Sequence, residues 1–125
     1  MKAEIDEMGV LTIIAKNKLE AYVAEKMKEV YKYARPTIAS GATPVEKGDV
    51  KNPWFGIECK QKLTAKAFSI PYDEWYKNCG EADHDYKDPV FVVENEDGEK
   101  ICAMRLDEWF DLVYELMELR KKLEE

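Results

Sequence analysis

Histidine is nearly missing from this 125-residue chain, with His84 as its one example. That shortage argues against the common nucleophile systems, because Ser-His-Asp and Cys-His chemistry both need an imidazole and only His84 could supply it. Cysteine is scarce as well. Cys59, Cys79 and Cys102 stand 20 and 23 residues apart with no C-x-x-C pair, which argues against both a disulfide framework and a structural zinc site. Cys59 and Cys102 fall in apolar strand patterns and read as buried structural thiols. His84 sits among Asp83, Asp85 and Asp88, a run that reads as a polar surface loop rather than a metal site. No apolar run approaches the ~20 residues of a membrane helix. The start, Met1-Lys2-Ala3-Glu4-Ile5-Asp6-Glu7, is too acidic for a signal peptide. An intracellular protein without a membrane partner is expected.

Basic residues are also short, 19 against 26 acidic ones, for a net charge of −7. Taken whole, that deficit argues against a nucleic-acid partner, since phosphate binding depends on Lys and Arg. The charge is uneven, however. Residues 1–9 carry −2, residues 10–70 carry +5 and residues 71–125 carry −10. The middle of the chain could face a polyanion and its end could not. If this is an enzyme, carboxylates and lysines must do its chemistry.

What is present suits one folded domain over 1–125: hydrophobic residues make up 46% and charged residues 36%, without repeats, low-complexity tracts or linkers. Residues 2–6 and 10–15 read as an N-terminal β-hairpin around Glu7-Met8-Gly9. Asn17 and Glu20 form a capping box for a helix reaching about Ala34, ahead of Pro36. Small residues from Thr37 to Pro44 suggest a strand end and loop. Segments 48–51 and 54–60 read as a hairpin turning at Asn52-Pro53. A short helix is expected from Pro71 to about Ala82, then the apolar strand Val90-Phe91-Val92-Val93 at a buried central position. A strand from Glu99 to Arg105 follows. In a last helix capped by Asp107, Trp109, Leu112, Val113, Leu116, Leu119 and Leu123 form one apolar stripe, read as core or alternatively as a dimer face. Trp54, Trp75 and Trp109 are assigned to the core. The fold class expected is α/β (α+β), a central mixed sheet flanked by helices.

The chemically informative stretch is Asp49 followed by Glu58-Cys59-Lys60. Alternate strand residues share a face, so Glu58 and Lys60 point the same way. If Asn52-Pro53 is a two-residue turn, Asp49 stands opposite Gly56 and joins that face, with Gly56 leaving room for an ion; a three-residue loop would break the parity. Paired carboxylates with hard oxygen donors suit Mg²⁺ or Mn²⁺. A neighbouring Lys60 could orient a water attacking a phosphodiester or stabilise the charge that develops. The alternative is an ordinary solvated strand face.

These residues lie in surroundings that resemble the PD-(D/E)XK nucleases, and within them the archaeal-type and phage Holliday junction resolvases. The resemblance runs from Glu20 through Ala39-Ser40-Gly41, Gly48-Asp49-Val50 and Ile57-Glu58-Cys59-Lys60. It continues through Phe68-Ser69-Ile70 to Pro89-Val90-Phe91-Val92-Val93, covering roughly residues 16–115. It implies a restriction-endonuclease-like core over 16–125 with residues 1–15 as an added hairpin. It also implies that Asp49 and Glu58 bind metal, that Lys60 is the catalytic lysine, and that Glu20 helps hold the metal or its water. Ser40 would be the family's mobile serine near the cleaved strand, and the Cys59 carbonyl a further ligand. Arg35, Lys47, Lys62 and Lys66 are candidates for phosphate contacts. Gly48 replaces the family's proline, and the Asp-to-Glu segment is shorter than in the archaeal enzymes. The function implied is a Mg²⁺- or Mn²⁺-dependent endonuclease acting as a homodimer on four-way DNA junctions in the cytoplasm of a bacterium or phage-infected host. Alternatives are a repair or phage nuclease acting on duplex or flap DNA, and an inactive DNA-binding module on the same fold.

Overall fold

The computed structural model describes residues 2–5, 11–14, 18–40, 43–44 and 48–125. Their architecture is mixed α+β. In chain order the elements are β1 (Lys2–Ile5), β2 (Leu11–Ile14), α1 (Lys18–Met27), β3 (Arg35–Pro36), β4 (Ala39–Ser40), β5 (Thr43–Pro44) and β6 (Val50–Lys51). They continue with β7 (Phe55–Gln61), α2 (Tyr72–His84), β8 (Asp88–Glu94), β9 (Lys100–Met104) and α3 (Leu106–Glu124). The expected N-terminal hairpin forms, with β1 antiparallel to β2 and Lys2 opposite Ile14. Glu7-Met8-Gly9 and the cap Asn17 lie outside the described residues. β3 pairs with β6, and β4 with β5.

The principal sheet has the order β7-β8-β9, parallel between β7 and β8 and antiparallel between β8 and β9. A parallel pair needs a crossover, and α2 supplies it. β8 is the central strand and is covered on both faces, which accounts for its unbroken apolar run; Phe91 and Val93 are fully buried. Register assigns the faces. Ile57 pairs with Val90 and Cys59 with Val92, and on that face Leu19 and Ala24 of α1 pack, flanked by Val23 and Met27. Gly56, Glu58 and Lys60, paired with Pro89, Phe91 and Val93, face α2. Asn78 of α2 donates to the Gly56 carbonyl at 3.3 Å. A Cβ on Gly56 would stand 2.6 Å from the Ala82 Cβ. The space left by Gly56 therefore admits a helix, not an ion.

Several expectations are corrected by what packs against what. α1 ends at Met27 instead of Ala34. Beyond it the chain turns, with the Val30 and Tyr31 N–H groups donating to the Met27 carbonyl and Ala34 to Tyr31. Val30 is 70% exposed, so the apolar spacing there meets no surface, and β-branched and aromatic residues do not sustain a helix unaided. His84 closes α2 rather than opening a loop. Cys59 is buried as expected, but Cys102 on the edge strand β9 is exposed. Trp54 and Trp109 are about half exposed instead of core.

The largest departure is α3. None of its residues is buried, because α1 and α2 already occupy the two faces of a sheet only three strands wide. Its start is tied down by Arg105, whose Nη1 and Nη2 donate to the Asp83 carboxylate at 3.0 and 2.9 Å, with Nη1 also 2.8 Å from Glu108. Asp107 does not cap this helix; Arg105 occupies the N-cap position without a side-chain cap bond, and Asp107 and Glu108 lie in the first turn, where acids favour the helix dipole. Among the described residues no helix is long and apolar enough to cross a membrane.

Candidate metal and catalytic centre

The geometry of the site begins with Asn52. This side chain is buried, and its Nδ2 donates to the carbonyls of Val50 and Phe55 at 3.1 and 2.9 Å. Its Oδ1 accepts the N–H groups of Trp54 and Phe55 at 2.9 and 2.7 Å. Asparagine followed by proline favours such a side-chain-closed turn. It makes residues 52–54 a three-residue loop, and the two-residue turn expected from sequence does not form.

The extra loop residue shifts the register. Asp49 donates its N–H to the Ile57 carbonyl at 2.6 Å instead of standing opposite Gly56. Its side chain therefore does not share a face with Glu58 and Lys60. Instead, Asp49 Oδ2 accepts the Cys59 N–H at 2.7 Å, which pins the carboxylate to the outer edge of β7. Gly48 makes the approach possible: it adopts φ +76°, and a Cβ there would lie 3.1 Å from the Ile57 carbonyl oxygen, a conformation glycine takes without strain. The Thr37 hydroxyl donates to the Gly48 carbonyl at 2.5 Å and the Thr37 N–H to that of Asp49 at 3.0 Å, closing the segment from the β3 side.

N–H and C=O of one strand residue point to the same edge. The Cys59 carbonyl thus lies on the Asp49 side of β7. Glu20 is 1% exposed on the sheet-facing side of α1, which packs against β6 and β7. Glu58 and Lys60 project from the other face, toward α2. There Lys60 Nζ sits 2.7 Å from Glu74 Oε1, with the side chains 44% and 38% exposed. The structure accordingly brings Asp49 and Cys59 into contact, with Glu20 to one side of the strand edge and Glu58 with Lys60 to the other.

Two residues of this arrangement were not singled out from sequence. Glu74, which holds Lys60, was signalled only by its place in the acidic first turn of a Pro71-led helix. Asn52, which sets the register, was visible as half of a turn dipeptide.

Among the phosphate-contact candidates, Arg35 lies in β3 with Nη1 donating to the Pro36 carbonyl at 3.0 Å. Lys62 is exposed and donates to the Ser69 hydroxyl at 3.0 Å. Lys66 is exposed, and its carbonyl accepts from the Asn95 amide at 2.7 Å. Lys47 and the side chain of Ser40 lie outside the described residues.

Among the described residues, no three His, Cys, Asp or Glu side chains already form a metal-binding group. The donors near the β7 edge are all oxygens, which suit a hard cation. Mg²⁺ needs only one or two carboxylates, with water and substrate phosphate completing its octahedron, so Asp49 with the Cys59 carbonyl at the strand edge fits such an ion, while Glu20 and Glu58 lie to either side of that edge. Compared with family models, curated proteins and solved structures, the chain has no significant match in any of the three.

Proposed function

We propose that this chain is a metal-dependent DNA endonuclease with a restriction-endonuclease-like core, of the Holliday junction resolvase type and acting as a homodimer. The observation that carries the reading is the 2.7 Å bond from the Cys59 N–H to Asp49. It sets an acidic side chain ten residues upstream against the strand that presents Glu58 and Lys60. A mixed sheet with helices on both faces is the frame that the resemblance calls for.

Asp49 at the outer edge of β7 would hold Mg²⁺ or Mn²⁺ with the Cys59 carbonyl, and Glu58 and Glu20 would join as donors from the two sides of that edge. The bound ion would supply Lewis acidity toward the scissile phosphate and acidify a coordinated water. Lys60 orients the attacking water and stabilises negative charge as the phosphorus becomes five-coordinate. Glu74 holds the Lys60 ammonium on the α2 side before substrate arrives. Arg35, Lys47, Lys62 and Lys66 contact phosphates and position DNA without reading its sequence.

The test is cleavage of a labelled four-way junction and a matched linear duplex, with and without Mg²⁺ or Mn²⁺. Metal-dependent cleavage that favours the junction is expected. Asp49→Asn keeps an oxygen for the Cys59 N–H but removes the charge, and should lower the rate by about 100-fold or more with an unchanged circular dichroism spectrum. Absence of metal-dependent cleavage overturns the enzyme; equal cleavage of both substrates overturns the junction preference.

A further inference from the structure

We infer that α3 is a self-association helix, pairing antiparallel with α3 of a second copy of this chain. The inference names the surface that would join the two copies invoked above. Its evidence belongs to α3 alone, so loss of the dimer and loss of cleavage are separate readouts.

The helix runs 19 residues without one that is buried, a span of ~28 Å at 1.5 Å per residue. Trp109, Leu116 and Leu123 recur every seven residues, with Leu112 and Leu119 between them at the complementary spacing. That is the a/d pattern of a helix seam. Four of these large side chains remain open to solvent: Trp109 is 48% exposed, Leu116 47%, Leu119 58% and Leu123 85%. An apolar seam of this length left about half exposed or more over most of its large side chains marks an interaction surface.

Charge along the helix selects the occupant. Residues 106–118 contain Asp107, Glu108, Asp111, Glu115 and Glu118 and no basic residue, whereas Arg120, Lys121 and Lys122 follow together, ahead of the terminal Glu124 and Glu125. Within one helix this segregation finds little use; the Lys121–Glu118 contact at 3.3 Å is exposed and of the kind worth little in stability. Laid antiparallel on a second copy, the basic end of each helix meets the acidic part of the other, twice, about one two-fold axis. Laid parallel, the acidic blocks face each other. The helix dipoles favour the same antiparallel choice.

Sedimentation equilibrium of the full chain tests the pairing. A dimer is expected. Leu116→Lys, at a position 47% exposed within one copy, should weaken it roughly tenfold or more while helix content stays unchanged. Arg120→Glu/Lys121→Glu/Lys122→Glu should weaken it as well. Adding Asp107→Lys/Asp111→Lys/Glu115→Lys to the same chain should restore it, a rescue that parallel pairing does not produce. A wild-type monomer, a dimer indifferent to Leu116→Lys, or a dimer indifferent to the triple reversal would each overturn the inference.

Discussion

Glu94 and Asn52 show how single side chains act beyond their own strands. Glu94, at the end of β8, accepts from the Gln61 amide at 2.6 Å and pairs with Lys100 at 3.0 Å. The Gln61 hydrogen bond, and behind it the Lys100 ammonium, hold its carboxyl below the ordinary glutamate value against the opposing effect of burial. A carboxyl lowered in the folded state stabilises the fold fully above its unfolded value of about 4.3. That stabilisation is lost as pH falls through the folded value. Glu94→Gln should therefore flatten the acid limb of the stability profile below about pH 5, read as the urea midpoint against pH. An unchanged limb would contradict the assignment. Asn52 had its turn chemistry legible in the Asn-Pro dipeptide, but the loop length was not. Two-residue and three-residue closures use the same dipeptide, and the choice rests on which carbonyls the amide reaches once β7 is in place.

At the scale of elements, Gly56 illustrates how a face is assigned by its neighbour. From sequence it is a gap between charged residues; in the fold it is where α2 crosses β7. Gly56→Ala should cost about 1–3 kcal/mol from overpacking against Ala82, measured by chemical denaturation. Ala82→Gly in the same chain should relieve the clash while adding the roughly 1 kcal/mol cost of a helical glycine. A neutral Gly56→Ala would mean that the helix sits farther from the strand. The types and order of the longer elements were largely legible, because period-two and helical spacings in 55–61, 72–84, 90–93 and 106–124 are local properties. The end of α1 was not legible. Leu19, Val23, Met27, Val30 and Tyr31 continue one helical spacing, and only the absence of a surface beneath Val30 ends it.

For the whole molecule, the uneven charge bears on the proposed partner. The +5 of residues 10–70 includes every phosphate-contact candidate, and the −10 of residues 71–125 includes all of α3. If two copies contact junction phosphates through those basic residues, affinity should fall about 1,000-fold between about 50 and 200 mM salt. Fluorescence anisotropy of a labelled junction measures this with Ca²⁺ in place of Mg²⁺. Affinity independent of salt would argue against phosphate contacts as its source. In the proposed pairing the acidic end has a separate role, in which the segregated charges of α3 would meet their complements on another copy.

The sequence by itself determined the classes of the longer elements and the apolar central strand over 90–93. These follow from composition and from the spacing of neighbours along the chain. Only the tertiary structure decided that Asp49 lies at the edge of β7 instead of on the face of Glu58 and Lys60, that Lys60 is held by Glu74, and that no residue of the α3 stripe is fully buried. Each of those depends on contacts between residues remote in sequence: a side chain closing a loop, a helix crossing a strand, and two sheet faces already covered before the last helix arrives.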